Sequence, residues 1–290
     1  MDLTDFAEDI GDTRPVSIAG TGSRGGPVDG VHTVMAPSGV EWVQPDEMTV
    51  RCGAGTPLDE LDATLAVHGQ SVAIPPVGTV GGALAVGQSG IRRLGYGPVR
   101  DSLLQAGFVN ARGQIVKAGG PTVKNVSGFD LCRLLVGSRG TLGFIGEVIL
   151  RTRPRAGFEQ WFTTTADPFE LFPKLYRPTS VLWNGDLTWV LLEGHERDVI
   201  AQADRYHLEA GEPPRELPSG GRWSMRPSHL PALVGSGGFV AEIGVGIVHH
   251  EAPAPLRPCE PAVLKLHRRL KHEFDPTGRL NPGVELVRSA

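Results

Sequence analysis

The residues whose spacing most suggests chemistry are glycines. Gly20-Thr21-Gly22-Ser23-Arg24-Gly25 matches G-x-G-x-x-G. A dinucleotide fingerprint needs a helix opening in that loop, and an acid about 20 residues on. A strand-like run precedes the loop and Glu41 stands near the right distance. But Gly25-Gly26-Pro27 and Gly30 follow, and no helical periodicity appears before residue 57. A Rossmann-type site is therefore not expected. Successive backbone N–H groups in a Gly-rich turn form a concave anion nest without any helix, and Thr21 and Ser23 add hydroxyl donors. A second loop, Pro75-Pro76-Val77-Gly78-Thr79-Val80-Gly81-Gly82, leads to Gly87, Ser89 and Gly90. Two such loops together suit a ligand carrying a pyrophosphate; for either alone a plain tight turn serves equally. Neither has the G-x-x-x-x-G-K-[ST] form of an ATPase loop.

The elements that must position these loops follow from the chain's bounds. Its 290 residues suggest two domains, and 40% hydrophobic residues suffice for a core. A net charge of -4 gives no electrostatic reason to bind nucleic acid or an anionic membrane. Cys52, Cys132 and Cys259 are far apart and form no CxxC, so no zinc ribbon, iron–sulfur site or other metal centre is expected. Isolated thiols fit a reducing compartment. The start, MDLTDFAEDI, is acidic and lacks the apolar stretch of a secretory signal. No apolar run approaches the roughly 18 residues of a membrane helix. The expectation is a soluble cytoplasmic protein.

Residues 14–19 read as a strand, and residues 40–44 and 48–52 as a strand pair joined at Pro45-Asp46. The clearest helix of the first half has Thr56 as cap, Pro57 at its first position, Leu58, Leu61 and Leu65 on one face, and Gly69 as its stop. Residues 70–90 read as a Gly/Pro-rich loop. Residues 103–109 and 114–118 read as a hairpin turned at Ala111-Arg112-Gly113, and residues 141–151 as a closing strand. Residue 158 begins a different pattern: strand 158–165, a helix opened by Asp167-Pro168, strands 180–183 and 187–193 about an Asn184-Gly185-Asp186 turn, helix 196–210, strand 238–249. That order is the split unit of a ferredoxin-like layer. A last helix runs from Pro261, with Val263, Leu266, Leu270 and Phe274 on one stripe.

The residues resemble a known family. GVEWVQPDEMTVRCGAGTPLDELDATLAVHGQSVAIPP (39–76), then GTVGGALAVGQSG, then GYGPVRDSLLQAGFVNARGQIVKAGG look like a PCMH-type FAD domain of the vanillyl-alcohol-oxidase type. The block VKNVSGFDLCRLLVGSRGTLGFIGEVILRTRP (123–154) is similar to that of the FAD-binding subunits of bacterial glycolate oxidases, and FDPTGRLNPG (274–283) looks like the C-terminal return of the superfamily. RWSMRP (222–227) adds a weaker likeness. The implied fold is α+β: a two-part PCMH-type FAD-binding domain (1–155, with 259–290 returning to it) and a smaller ferredoxin-like substrate domain (156–258). The implied cofactor is FAD, held non-covalently, since no His stands in the first loop. By position the resemblance assigns cofactor binding to Ala19, Gly20, Thr21, Gly22, Ser23, Pro76, Gly78, Thr79, Val80, Gly81, Ser89, Gly90, Tyr96 and Asp101, with the backbone of Gly140, Ile145 and Glu147 on the closing strand.

Oxidising a small 2-hydroxy acid such as glycolate or lactate at a flavin needs a cation for the carboxylate and a base for the hydroxyl proton. Arg226 and the pair His249-His250 are the sequence's candidates. On a strand only one of two consecutive histidines faces a site. Trp183, Trp189 and Trp223 line a pocket or fill the core. Two functions follow from the resemblance: an FAD-linked oxidoreductase, or a non-catalytic FAD-holding or electron-relay subunit. Implied partners are a second flavoprotein subunit and an iron–sulfur subunit.

Overall fold

The computed structural model describes residues 1–121, 130–256 and 259–284. Two compact units divide the chain: residues 1–89, 98–155 and 258–290 form the first, and residues 90–97 and 156–257 the second.

The first unit starts with α1 (Thr4–Ile10), then β1 (Val16–Ala19) and β2 (His32–Met35), which pair in parallel. Next come β3 (Val40–Gln44), β4 (Thr49–Gly53), α2 (Leu58–Ala66), β5 (Gln70–Val72) and α3 (Val80–Val86). A short α4 (Arg93–Tyr96) belongs to the second unit. Then follow β6 (Leu103–Val109), β7 (Ile115–Gly119), α5 (Leu131–Leu135) and β8 (Phe144–Pro154). The larger sheet runs β3-β4-β8-β6-β7, with β5 also on β8. β8 is central, and its first seven residues are all buried. That explains its near-unbroken apolar run, since a strand covered on both faces has no polar alternation to keep.

Leu58, Leu61 and Leu65 of α2 are buried at i, i+3 and i+7, as its periodicity demands. Its start differs from expectation. Pro57 is the extended residue before the helix, and Thr56 does not cap. The Thr56 hydroxyl donates to the Gly53 carbonyl (2.7 Å) and accepts from the Gly39 N–H (2.9 Å). The presumed loop 70–90 contains β5 and α3, too short to carry a period and held by tertiary contacts instead. α1 and β2 escaped the sequence for the same reason.

The second unit has β9 (Phe158–Thr164), α6 (Pro168–Leu171), β10 (Ser180–Trp183), β11 (Thr188–Gly194), α7 (Glu196–Arg205), β12 (Glu209–Ala210), β13 (Gly221–Ser224), β14 (Phe239–Glu242) and β15 (Ile247–His250). Its sheet order is β12-β9-β11-β10-β14-β15-β13. The first four strands follow the split ferredoxin-like order, and the last three extend the β10 edge. The stretch 238–249 is therefore not one strand but a hairpin. Gly244 (φ +79°) and Gly246 (φ +80°) turn it in a conformation that L side chains rarely adopt. The fourth place in the split layer goes to the two-residue β12. Helix α7 stops at Arg205, and His207 follows in the left-handed region (φ +54°).

α8 (Pro261–Phe274) closes the described chain in the first unit, and none of its residues is buried; Val263 and Leu266 of its apolar stripe are 39% and 55% exposed. No helix among the described residues is long and apolar enough to cross a membrane.

Candidate functional site

β1 delivers the chain to the first glycine loop. Gly22 (φ +75°) and Gly25 (φ +116°) bend it back, and Gly25 donates its N–H to the Gly22 carbonyl at 3.4 Å. Among the described residues, the amides from Thr21 to Arg24 have no acceptor within the protein. The Thr21 and Ser23 hydroxyls lie 3.2 Å apart. Arg24 ties this loop to the second one, its guanidinium donating to the carbonyls of Val77 and Pro75. Burial draws the Arg24 guanidinium below its usual pKa. Gly78 (φ +76°) sits against the same loop, where a Cβ would overlap the Ser23 hydroxyl.

The second loop behaves differently from the first. Thr79 caps α3 by accepting from the Gly82 N–H (3.2 Å). Val80 N–H donates to the Thr56 carbonyl (3.0 Å), and Gly81 N–H to the Ala54 carbonyl (2.7 Å). These amides hold the loop on β4 and are not free for an anion. Gly81 is required by that approach, because a Cβ there would stand 2.9 Å from both the Cβ and the carbonyl oxygen of Ala54.

From the far end of the chain Asn281 closes the site. It is one of the few non-glycine residues at positive φ (+46°). Its Oδ1 accepts from the Ile18 N–H (3.1 Å), and its Nδ2 donates to the Arg139 carbonyl (2.7 Å). Gly140, also left-handed, would bring a Cβ to 2.7 Å from Asn281 Nδ2.

These segments surround a cavity of about 430 Å³. Ala19, Gly20, Thr21, Gly22, Ser23, Thr79, Gly81, Gly140 and Ile145 line it, as do Arg24, Gln88, Ser138, Arg139 and Asn281. Among the described residues the lining has two guanidinium groups and no carboxylate, which suits a polyanion. Pro76, Gly78, Val80, Ser89, Asp101 and Glu147 belong to the same unit but not to this lining. Val80 is fully buried in the core. The Ser89 hydroxyl accepts from the Val99 N–H (3.1 Å). Asp101 lies 3.8 Å from Arg100 and 3.9 Å from Arg133. Glu147 is buried in a bond to Arg51 at 2.7 Å, with the N-terminal ammonium 3.3 Å away. Gly90 and Tyr96 are in the second unit, where the Tyr96 hydroxyl donates to Glu193 (2.9 Å). The Lys-Asn-Val run of the block 123–154 lies outside the described residues.

Residues 12–119 match a family model described as FAD binding domain. Over these residues the chain is similar to the PCMH-type FAD-binding family. It is similar to glycolate oxidase subunit GlcE of Escherichia coli, 28% identical over 94% of this chain and 93% of the relative. It is 41% identical to a D-lactate dehydrogenase of Archaeoglobus fulgidus over 39% of this chain and 26% of that protein. In fold it is similar to a solved alkyldihydroxyacetonephosphate synthase, with a TM-score of 0.66 and 15% identity over 97% of this chain and 72% of that one. An FAD domain must hold a dianionic pyrophosphate. The free amides of the first loop with Arg24 and Arg139 are donors of the right kind, so the residues present fit the cofactor.

The candidate catalytic residues are in the second unit and separate into different environments. Arg226 is exposed at the start of a 3₁₀ turn. His250 is buried and stacks on Trp223 at 3.9 Å. Its Nδ1 accepts from the Ala252 N–H (2.9 Å), so the ring proton is on Nε2, 3.2 Å from the Ser236 hydroxyl. That hydroxyl donates onward to the Leu233 carbonyl (2.6 Å). With both nitrogens engaged, His250 is a packing residue. His249 faces the other side of the sheet, its Nε2 3.0 Å from Glu242 Oε1. Trp183 packs edge-on against Phe169 and Phe239 in the core.

The sequence did not single out Arg24, Arg139 or Asn281. The only available signal for Asn281 was its place in FDPTGRLNPG.

Proposed function

We propose that the first unit is a functional FAD-binding domain, and that the chain is an FAD-dependent oxidoreductase acting on a small 2-hydroxy acid such as glycolate or lactate. The second unit, with 156–257, is its substrate domain. The observation that carries this reading is the first glycine loop, whose unpaired amides belong to residues lining a cavity with Arg24 and Arg139 and, among the described residues, no carboxylate. FAD, once bound, supplies a two-electron acceptor. The protein's part is to fix the pyrophosphate on Gly20–Arg24. Attachment is non-covalent in this reading. Among the described residues the lining holds neither His nor Cys nor Tyr, which supports this reading. The substrate class comes from the names of the relatives, a glycolate oxidase subunit and a D-lactate dehydrogenase.

A second reading, an FAD-holding or electron-relay subunit of a glycolate-oxidase-like complex with a second flavoprotein and an iron–sulfur chain, draws on one observation. α8 exposes two residues of its apolar stripe, Val263 at 39% and Leu266 at 55%, as a surface that meets another subunit would. One experiment separates the readings. The purified chain is titrated with FAD, its visible spectrum recorded, and the protein precipitated with acid. A flavin band that moves to the supernatant supports non-covalent FAD. Anaerobic bleaching of that band by glycolate or lactate supports the self-sufficient enzyme, while a band that neither acid bleaches supports the relay subunit. No band in excess FAD refutes both for the isolated chain.

A further inference from the structure

The sheet of the second unit has two faces of opposite character. Phe162, Trp183, Phe239, Ala241 and Val248 point into its apolar core. Side chains alternate along a strand, so the residues between them point the other way. On that other face Arg222 of β13 is paired directly with His249 of β15. His249 is paired in turn with Val240 of β14, and Glu242 lies two residues further along the same face. Directly opposed side chains stand about 5 Å apart at Cβ. Three polar side chains thus share one patch of the sheet.

Their hydrogen bonding is incomplete. Glu242 is 2% exposed; its Oε1 meets His249 Nε2, but its buried Oε2 has no donor among the described residues. The Nε of Arg222 is buried without an acceptor, and no carboxylate of the described residues comes within 4.0 Å of its guanidinium. Burial and the nearby Arg93 draw the Arg222 guanidinium down in pKa, and Glu242 draws it up. A partly buried arginine whose planar fork has no anion is costly unless a ligand supplies one.

We infer that Arg222, His249 and Glu242 form the recognition site for a small 2-hydroxy carboxylate. The inference rests on the oxidation reading above only for the substrate's class. Arg222 takes the carboxylate in its bidentate fork. Glu242 accepts the Nε2–H of His249 and fixes that tautomer, which leaves Nδ1 to accept from the 2-hydroxyl. Glu242 is a positioning residue. Two guanidinium groups nearby disfavour a metal ion, and among the described residues no group of three or more His, Cys, Asp or Glu is placed to hold one. Arg226, outside this patch and exposed, takes no part.

The test is isothermal titration of the FAD-loaded chain with glycolate, acetate and inorganic phosphate, with the flavin spectrum and thermal midpoint recorded for each variant. The parent is expected to bind glycolate more tightly than acetate or phosphate. R222M is expected to weaken both carboxylates by roughly 10- to 100-fold, the loss of charge-assisted hydrogen bonds. Should R222M melt early, R222K keeps the charge without the fork and is expected to lose about tenfold. H249A is expected to lower glycolate to the affinity of acetate and leave acetate unchanged. E242Q is expected to reduce the preference for glycolate over acetate, an effect that a merely structural role would not produce. R222M and R222K binding glycolate like the parent, or phosphate binding as tightly as glycolate, overturns the inference. Glycolate binding that persists in a chain with no flavin band leaves this site standing and removes the oxidation reading instead.

Discussion

Replacing Asn281 with Ala tests the cradle at the point where three segments meet. The amide makes two bonds, accepting from the Ile18 N–H at 3.1 Å and donating to the Arg139 carbonyl at 2.7 Å. Asn281→Ala leaves one donor and one acceptor unpaired in partly buried surroundings, at about 1 kcal/mol each. It also places Ala at φ +46°, a region that Asn tolerates and Ala occupies at a cost of up to about 1–2 kcal/mol. The sum is about 3 kcal/mol. Every 1.4 kcal/mol is a factor of ten, so FAD affinity is expected to fall by roughly 10- to 100-fold, with about 100-fold as the ceiling. The thermal midpoint of the FAD-free chain is expected to drop by roughly 5–10 °C. Quenching of flavin fluorescence on titration gives the affinity, and circular dichroism the midpoint. Asn281→Asp sharpens the test: it keeps an acceptor for Ile18 but sets a carboxylate beside the cavity, so it is expected to weaken FAD more than it weakens the fold. An N281A chain within twofold of the parent in affinity and within a degree in midpoint would refute this account of the cradle.

Further outcomes can be checked on the same preparation. Arg24→Met removes a cation and both ties to the second loop, and is expected to weaken FAD by about tenfold or more, with an effect that shrinks as salt rises. His250→Ala breaks two hydrogen bonds and a ring stack, and is expected to lower the melting midpoint by several degrees while the flavin spectrum is unchanged. Burial pushes the Cys52 thiol up to about 12 and the Cys132 thiol up to about 11. The folded chain then retains protons that the unfolded chain releases near pH 9, so stability is expected to fall as pH rises above about 9, and not below it. Melting curves from pH 7 to 10.5 read that slope. In the folded state at pH 8 a thiol reagent is expected to modify Cys259, which is half-buried, well before the two buried thiols.

What the sequence disclosed was local, and what it hid was convergence. Alternation and turn residues sufficed for β3, β4, β6 and β7, and the leucine spacing for α2. The first glycine loop was read as an anion nest from its closely spaced glycines. The second was read as an equal nest, since no local pattern reveals that the carbonyls of Ala54 and Thr56 take the amides of Gly81 and Val80. Glu147 illustrates the same limit: its place on β8 was foreseen, but not the Arg51 ion pair from β4 that occupies its side chain. Residues 238–249 read as one strand because alternation survives the turn at Gly244 and Gly246. Of His249 and His250, the strand pattern required that one face inward to the core. It is His250, whose ring is consumed by packing, and this leaves His249 with the polar face.

The dependence of a cradle near one end of the chain on a motif near the other has a physical cause. β1 is only four residues long, pairs on one side with the equally short β2, and would fray alone. The tail supplies its other neighbour, through a bridge from Leu280 to Val16 and the Asn281 bond to the Val16 carbonyl (2.9 Å). That tail is itself preformed by Asp275, whose buried carboxylate accepts from Lys271 Nζ (2.6 Å) and from the N–H groups of Arg279 (3.1 Å) and Leu280 (2.8 Å). The turn then aims Arg279 at the carbonyls of Arg14 (2.8 Å), Ala111 (3.2 Å) and Ile10. Closing a loop of more than 200 residues costs only slightly more than closing a short one, because the entropy grows with the logarithm of length. A handful of buried, charge-assisted bonds therefore suffices to hold the return, and the residues between β1 and the tail are left free to accommodate a second unit without loosening the first glycine loop.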